Sequence, residues 1–315
     1  MHYTTKTLMH EALANIKTLI YNLCYFKDNS PYDGDRAALR NLVLSLPQDM
    51  KCKYADECAF VESMPLERLG DIMFPYPAMA SQSEKEPVVA GKDGGLPFVV
   101  HKQQKLFFPK SLSPSGAQHE YLELVEQEGL LGTGRLKKSP HCYQDDDFKI
   151  EKGDILLDIG CAEAIFALDN INTASKVYLF ECLSAWRKPL ERTFAPYTDK
   201  TVLLNKLVTD KTHGNSITLV DAVSTDMSDS SHFFVKMDIE GWERSVIKGN
   251  ADFLQSAKVK LSCCVYHRQD DAQTIDTMLK KMGYRTRFSN GYMLPTINGI
   301  HYPYFRHGVI YAQNY

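Results

Sequence analysis

The second half of the chain alternates between apolar runs and helical stretches. The runs are apolar at nearly every position rather than at every second one, which is typical of parallel strands buried on both faces. The predicted strands are ILLDIG (155–160), KVYLFE (176–181), TVLLNKLVTD (201–210), FFVKMDIE (233–240) and KVKLSCCVY (258–266). Helices are predicted near Ala164–Ile171, Ser184–Phe194, Arg244–Lys248 and Ala272–Met282. The alternation predicts an α/β fold with a mostly parallel sheet between two helical layers.

The last part of the chain has a different pattern. GYMLPTING (291–299) and RHGVIYAQ (306–313) are short β-like runs with no helical stretch between them. Strands joined without a helix pair antiparallel, so we expect an antiparallel hairpin at the edge of the sheet.

The first half is predicted to be mainly helix and loop. Apolar residues at helical spacing predict a helix over 5–26, and a second one begins at Arg36 and stops before Pro47. Prolines and glycines between 75 and 114 indicate long loops, with one strand near PFVVH (97–101), and GAQHEYLELVEQEG (116–129) reads as a helix. We therefore divide the chain into an N-terminal region, 1–148, and an α/β domain, 149–315.

Composition narrows the choice of function. The 315 residues carry a net charge of −3, and neither half is basic, so nucleic acid is a poor partner. The eight cysteines form no C-x-x-C pair, which favours free thiols in a reducing cytoplasm. The sequence shows no secretory leader and no apolar run of membrane-spanning length.

The segment 155–181 has the layout of a nucleotide-binding βαβ unit. Gly160 follows the first strand, and Glu181 ends the second strand about 20 positions later, where an acid accepts hydrogen bonds from ribose. A dinucleotide-binding turn carries two further glycines, two and five positions after the first. This chain has Ala162 and Ile165 at those positions. S-adenosylmethionine has a ribose but no phosphate, so it fits this turn better than NAD does.

Four segments together resemble the FkbM-type S-adenosylmethionine-dependent methyltransferases. They are DIGCAEAIFAL, VYLFE, LLNKLVTDK and FFVKMDIEGWERSVIKG, the last carrying Lys236, Asp238, Glu240, Gly241, Glu243, Lys248 and Gly249. The likeness covers about 149–313 and implies a Rossmann-like, class I methyltransferase fold. The family usually carries a glycine where this chain has Ala164, whose methyl group is expected to face the ligand and weaken its binding.

The resemblance implies a set of cofactor contacts. Asp158 fixes the first turn and faces the methionine amino group, unless it only caps the following helix. Gly160, Cys161 and Ala162 form the turn, Glu181 binds the ribose, and Cys182 follows it. Asp210 falls where such folds often contact adenine, and a loop-capping role is equally open.

The catalytic residues are expected at the carboxyl end of the fourth predicted strand. Asp238 and Glu240 are two apart, so they share one face, and Asp238 is the first candidate to take the proton of an acceptor hydroxyl. Glu240 either assists or holds the strand-to-helix turn. His267 ends the next strand, where a neutral imidazole would act as a base or share a divalent metal with Asp238. Two ligands do not define a metal site, so none is assigned.

The acceptor side is less defined. His141 and Tyr143 are expected to cover the cofactor from outside, and Arg268 either holds an anionic acceptor or is solvated. Tyr302, Tyr304 and Phe305 are either sugar-stacking faces or core. The sequence thus predicts an O-methyltransferase for a sugar, glycan precursor or secondary metabolite. A non-catalytic cofactor-binding module and a nucleotide-dependent oxidoreductase are the alternatives, and the N-terminal half shapes the acceptor site or a homodimer contact.

Overall fold

The computed structural model describes residues 36–66, 73–76, 88–127, 139–295 and 302–315. In the N-terminal region the helices are α1 (Arg36–Leu44), α2 (Gln48–Lys53), α3 (Ala55–Ser63) and α4 (Pro114–Leu122), and the strands are β1 (Ala90–Asp93), β2 (Leu96–His101) and β3 (Gln104–Phe107). The predicted helix at Arg36 is confirmed, and the one over 5–26 lies outside the described residues. The strand near PFVVH is the middle strand of an antiparallel sheet, β1-β2-β3.

A seven-stranded sheet organises the second half. Its strands are β4 (Ile155–Ile159), β5 (Lys176–Phe180), β6 (Thr201–Leu204), β9 (His232–Met237), β10 (Lys258–Cys264), β11 (Arg285–Phe288) and β12 (Val309–Gln313), in the order β6-β5-β4-β9-β10-β12-β11. The pairs from β6 to β10 are parallel, and β12 runs antiparallel between β10 and β11. The predicted Rossmann-like sheet with an antiparallel hairpin is confirmed.

Two predicted strands are placed differently. The run TVLLNKLVTD divides into β6 and a short β7 (Leu207–Val208), which pairs with β8 (Ser216–Ile217) in a separate two-stranded sheet. The hairpin partner of β12 is RTRF in β11 rather than GYMLPTING, which contributes one antiparallel bridge, Met293 to Arg306. β11 is an edge strand that alternates exposed arginines with half-buried residues, so it does not read as an apolar run.

Helices cover both faces of this sheet. They are α5 (Ile165–Asn170), α6 (Ser184–Thr193), α7 (Leu219–Ala222), α8 (Glu243–Gly249), α9 (Ala251–Ser256) and α10 (Asp271–Lys281). Successive strand residues point to opposite faces, so Leu156 and Leu157 belong to two separate hydrophobic clusters. The cluster around Leu156 also contains Val99, Leu106 and Phe108, so the N-terminal sheet packs directly on the α/β domain.

A third hydrophobic cluster joins the N-terminal helices to the end of the chain. Leu39 and Val61 of α1 and α3 pack with Leu294 and Phe305, and the rings of Tyr54 and Phe305 lie 5.1 Å apart. These helices therefore hold the segment that leads into β12.

His307, next to this cluster, is expected to make stability fall in mild acid. Its ring stacks on Phe288 at 4.1 Å, and burial, with a smaller effect of Lys53, lowers the pKa of His307 from 6.5 to about 4. The unfolded chain therefore binds more protons between those values, so stability is lost as the pH falls from about 6.5 to about 4, by about 2 to 3 kcal/mol. Tyr292 also faces the ring and stays neutral over this range.

Urea unfolding at pH 7 and pH 4.5, for the wild type and His307→Phe, measures this contribution. The variant should lose less stability between the two pH values than the wild type. Equal losses in both proteins would contradict the assignment to His307.

Candidate active site

The carboxyl ends of β4, β5, β9 and β10 meet at one edge of the sheet, because these strands are neighbours and parallel. Asp158 lies in β4, Glu181 follows β5, Asp238 follows β9, and His267 lies just beyond β10. Open α/β sheets bind their ligands at this edge. The predicted residues thus fall at the place where the fold class puts its chemistry.

The turn after β4 is built from residues with left-handed backbone. Gly160, Ala162 and Ala164 have φ values of 74°, 44° and 60°. An alanine in this region carries about 1 to 2 kcal/mol of strain. The side chain of Ala164 is 1% exposed and packs in the hydrophobic cluster of the sheet, so the expectation that its methyl group faces the ligand is wrong.

Gly160 fits only because it lacks a side chain. A Cβ atom there would lie 2.0 Å from the carbonyl oxygen of Asp238 and 2.8 Å from Ile239. The first turn is therefore in direct contact with the carboxyl end of β9. Cys161 beside it is buried, and burial raises the pKa of its thiol well above the usual value, so this cysteine is a packing residue.

A buried ion pair fixes the two central strands. Lys236 and Asp158 are cross-strand partners in β9 and β4, and the Lys236 Nζ lies 3.1 Å from the Asp158 carboxylate. The same ammonium donates a 2.7 Å hydrogen bond to the Gly160 carbonyl. Burial alone would lower the pKa of Lys236, but Asp158 and Asp238 outweigh it and raise the pKa. Asp158 is 0% exposed, so in this structure it holds the turn.

Glu181 organises the neighbouring loops. Its carboxylate accepts hydrogen bonds from the backbone N–H of Ala162 at 3.1 Å and of Leu183 at 2.7 Å. Burial raises the pKa of Glu181, and these two donors oppose the change. Asn205, at the end of β6, donates to the Glu181 carbonyl at 2.6 Å. Sequence reasoning missed Asn205, although its position directly after a strand is a usable signal.

Two of the predicted cofactor residues lie outside this arrangement of buried carboxylates. Cys182 is exposed beside Glu181. Asp210 lies against Gly249, where an added Cβ atom would come within 2.6 Å of the Asp210 Cβ. Gly249 is the last residue of α8, and Glu243, at the other end of this helix, reaches the site. The length of α8, about 9 Å, therefore separates Asp210 from the site. The structure does not bring Asp210 to the other residues.

Asp238 is the centre of the site. Tyr143 donates a 2.7 Å hydrogen bond to its Oδ2, and His141 Nε2 lies 3.4 Å from the same oxygen. Burial would raise the pKa of Asp238, but His141, His267 and Lys236 outweigh it and hold the pKa well below its usual range. Tyr143 and His141 are buried and contact the Asp238 carboxylate directly, and their predicted position over the cofactor stays a prediction.

His267 faces carboxylates on both sides of its ring. Its Nδ1 lies 3.0 Å from Glu243, and its Nε2 lies 3.4 Å from Asp238 and 3.6 Å from Glu240. Burial would lower the pKa of His267, but the carboxylates raise it from 6.5 to about 9. Without a bound cation the protonated ring is therefore favoured, and in that state His267 is not the neutral imidazole base that the sequence predicts.

Glu243, and not Glu240, holds the strand-to-helix turn. Its Oε1 accepts the backbone N–H of Ile239 at 3.0 Å and of Gly241 at 3.3 Å, and its side chain is fully buried. Glu240 has a left-handed backbone, φ 55°, and its side chain is 48% exposed at the rim. The motif contained both acids, and only the fold separates their positions.

A cavity of about 120 Å³ opens beside His267. Its lining residues are Glu240, Gly241, Tyr266, His267, Arg268, Pro295 and Arg306. The buried Arg306 donates to the Tyr266 carbonyl at 2.9 Å. Phe305 belongs to the cluster of the N-terminal helices, where Tyr304 also packs, and Tyr302 is 57% exposed. None of these three aromatic side chains lines the cavity.

Comparison with known proteins gives one family match and several similar structures. The model of the methyltransferase FkbM domain matches residues 215–286. The methyltransferase FkbM of Methylobacillus flagellatus aligns over 52% of this chain and 44% of its own, with 20% identity and a TM-score of 0.40. The chain thus spans less than half of that protein. No curated protein matches the chain.

Two further solved structures contain the cofactor or its product. A putative tRNA (m1A22) methyltransferase of Streptococcus pneumoniae, with S-adenosylmethionine, is 12% identical over 52% of this chain and 68% of its own, with a TM-score of 0.34. SMU.1697c, a putative methyltransferase of Streptococcus mutans with S-adenosylhomocysteine, is 14% identical over 52% and 90%, with a TM-score of 0.33.

The matched segment runs from β8 into β11 and contains Asp238, Glu243 and His267. Fold and segment together define a methyltransferase domain with a Rossmann-like sheet. Within that class, residues 215–286 are similar to the methyltransferase FkbM domain. None of the helices in the described ranges has the length and apolar character that a membrane crossing needs.

Proposed function

We propose that this protein is an O-methyltransferase that transfers the methyl group of S-adenosylmethionine to a hydroxyl of a sugar, glycan precursor or other secondary metabolite. The observation that carries the proposal is the position of Asp238. Asp238 follows β9, its backbone carbonyl packs against Gly160, and its carboxylate lies 3.4 Å from His267, which lines the cavity. Cofactor and acceptor can therefore meet at this one group.

On this proposal the turn and Glu181 hold the cofactor. Glu181 lies at the end of β5, with its carboxylate fixed by two backbone donors, and it can accept hydrogen bonds from the ribose hydroxyls. Gly160, Cys161 and Ala162 present their backbone to the methionine portion, and Asn205 supports the ribose-binding acid through its hydrogen bond to the Glu181 carbonyl. Asp158 supports the turn through Lys236.

The transfer is an in-line displacement. The acceptor oxygen attacks the methyl carbon, the S–C bond breaks, and its electron pair returns to sulfur to give S-adenosylhomocysteine. The alkylated oxygen is strongly acidic until it loses its proton, and Asp238 takes that proton. A carboxylate of low pKa suffices for this step, because the proton leaves a positively charged oxygen. Tyr143 keeps the carboxylate oriented by its hydrogen bond.

The acceptor is proposed to enter through the cavity beside His267. Arg268 is exposed at this cavity and Arg306 is buried in its wall, so a hydroxylated acceptor that also carries an anionic group suits the lining. We infer a cytoplasmic location as well, because the seven cysteines of the described residues are all free. The near-neutral net charge still argues against nucleic acid, and a homodimer contact through the N-terminal half stays a prediction.

Calorimetric titration with S-adenosylhomocysteine, with NADH as the comparison ligand, tests this proposal. We expect saturable binding of the first ligand only. Glu181→Gln should weaken binding by about 10- to 100-fold, because each hydrogen bond to a charged group contributes about 1.5 to 3 kcal/mol. Once binding is established, hydroxylated sugars with and without a carboxylate are screened as acceptors of labelled methyl.

Asp210→Asn is the matched control for the titration. It also removes one carboxylate, but at the far end of α8, so its affinity should equal that of the wild type. Binding of NADH, or equal affinity of the wild type and Glu181→Gln for S-adenosylhomocysteine, would contradict the proposed cofactor site.

A further inference from the structure

Four buried polar atoms of three residues around His267 make no hydrogen bond within the described residues. They are Asp238 Oδ1, Glu243 Oε2 and both ring nitrogens of His267. The ligand atoms that these three residues offer all lie within 4.8 Å of one another. Buried polar atoms normally have partners, so unsatisfied atoms on three residues this close together indicate that a partner is missing there.

The charges around His267 point to a cation. Three carboxylates, from Asp238, Glu240 and Glu243, lie within 3.6 Å of one imidazole ring. Lys236, on the other side of Asp238, is already paired with Asp158. His141 and Lys236 also act on Asp238, but the His267 imidazole adds at most one positive charge, whereas a divalent ion would add two while its ligands stay unprotonated.

The chemistry of the ligands narrows the choice of ion. Two carboxylates and one imidazole form a mixed oxygen and nitrogen set, which suits Mn²⁺, Fe²⁺ or Zn²⁺ better than Ca²⁺. Glu243 is further fixed by two backbone donors on its other oxygen, as outer hydrogen bonds fix metal ligands in general.

We propose that Asp238, Glu243 and His267 bind a divalent transition-metal ion, with Glu240 at its exposed side. This inference rests on the proposed function and deepens it, because the ion would lie between the proton acceptor and the acceptor cavity. There it would bind the acceptor hydroxyl and ease the loss of its proton, as a Lewis acid does. From the sequence alone, only Asp238 and His267 are recognisable as ligands.

A second set of residues at Asp238 fits a metal less well. His141 Nε2 and Cys264 Sγ are 3.3 Å apart, and the same His141 nitrogen lies 3.3 Å from the Tyr143 hydroxyl. His141 and Cys264 are buried, whereas the set with His267 borders the cavity and the exposed Glu240. We therefore assign the ion to the side of His267.

Titration of the chelator-treated full-length protein with Mn²⁺, followed by electron paramagnetic resonance and calorimetry, tests the assignment. We expect one Mn²⁺ per chain, displaced by Zn²⁺, and an affinity at least about tenfold lower in His267→Gln and Asp238→Asn. The third ligand, Glu243, is not used for this test, because Glu243→Gln would also perturb two backbone hydrogen bonds. The metal affinities of His267→Gln and Asp238→Asn therefore decide the assignment.

His101→Gln is the matched control. His101 is also a buried histidine that faces a carboxylate: its Nε2 lies 2.7 Å from Asp169, and neither residue belongs to the proposed metal site. The His101→Gln variant should bind Mn²⁺ like the wild type. No stoichiometric Mn²⁺ or Zn²⁺ binding, or equal binding by the wild type and His267→Gln, would overturn the inference. S-adenosylhomocysteine is titrated into the same samples. If the protein binds this ligand but no metal ion, the metal site is contradicted and the proposed function stands. If it binds a metal ion but not this ligand, the proposed function is contradicted and the metal site stands.

Discussion

Replacing Asp238 with asparagine is expected to slow methyl transfer by about 10²- to 10⁴-fold, the usual contribution of a positioned proton acceptor. The amide keeps the shape of the carboxylate but cannot take the proton of the acceptor. The affinity of the Asp238→Asn variant for S-adenosylhomocysteine should stay within about threefold of the wild-type value, because Glu181 and the Gly160 turn supply the proposed cofactor contacts. Transfer of labelled methyl to the acceptor found by screening, together with calorimetry, measures both quantities.

Asp270→Asn is the control for this substitution. Asp270 is an exposed aspartate that pairs with Arg244 outside the site, and its side chain is 69% exposed. The same chemical change there should leave turnover at the wild-type rate. Wild-type turnover in Asp238→Asn would show instead that another group takes the proton.

Asp158→Ala is expected to destabilise the protein by about 3 to 5 kcal/mol, because it leaves the charge of Lys236 buried without its partner. The Lys236 side chain is 6% exposed and that of Asp158 is 1% exposed, so water cannot replace the lost carboxylate. The double variant Asp158→Asn with Lys236→Met removes both charges and should recover part of this loss. Urea unfolding of the three proteins measures the free energies.

An exposed ion pair provides the comparison. Arg187 and Glu191 pair across one turn of α6, with side chains 64% and 50% exposed. Glu191→Gln should change stability by less than about 0.5 kcal/mol, since solvent screens such pairs. If Asp158→Ala were as mild as Glu191→Gln, the buried pair would have no structural role at the two strand ends.

Periodicity sufficed for the central strands of the fold. β4, β5, β9 and β10 are buried on both faces, so their apolar runs appear in the sequence without ambiguity. β11 escaped prediction because an edge strand needs only one buried face, and its arginines hide that face. The N-terminal sheet was reduced to one predicted strand, since β1 and β3 are four-residue strands in a segment rich in glycine and proline.

The site was predictable where a residue ends a strand, and less so elsewhere. Glu181 and Asp238 follow strands directly, and their contacts centre on the expected edge. The roles of Glu240 and Glu243 depend on the left-handed backbone at Glu240, which the motif does not reveal. His141 and Tyr143 reach Asp238 from about 95 residues away in sequence, a contact that only the folded packing creates.

The contact between Gly160 and the Asp238 carbonyl has a consequence for how this enzyme can diverge. Since any side chain at position 160 would push that carbonyl away, a substitution there would displace both the turn after β4 and the end of β9 that carries Asp238. On the proposed function, such a substitution should therefore lower both donor affinity and turnover. New acceptor preferences should instead arise at exposed rim positions such as Glu240 and Arg268, which can change without moving either partner of this contact.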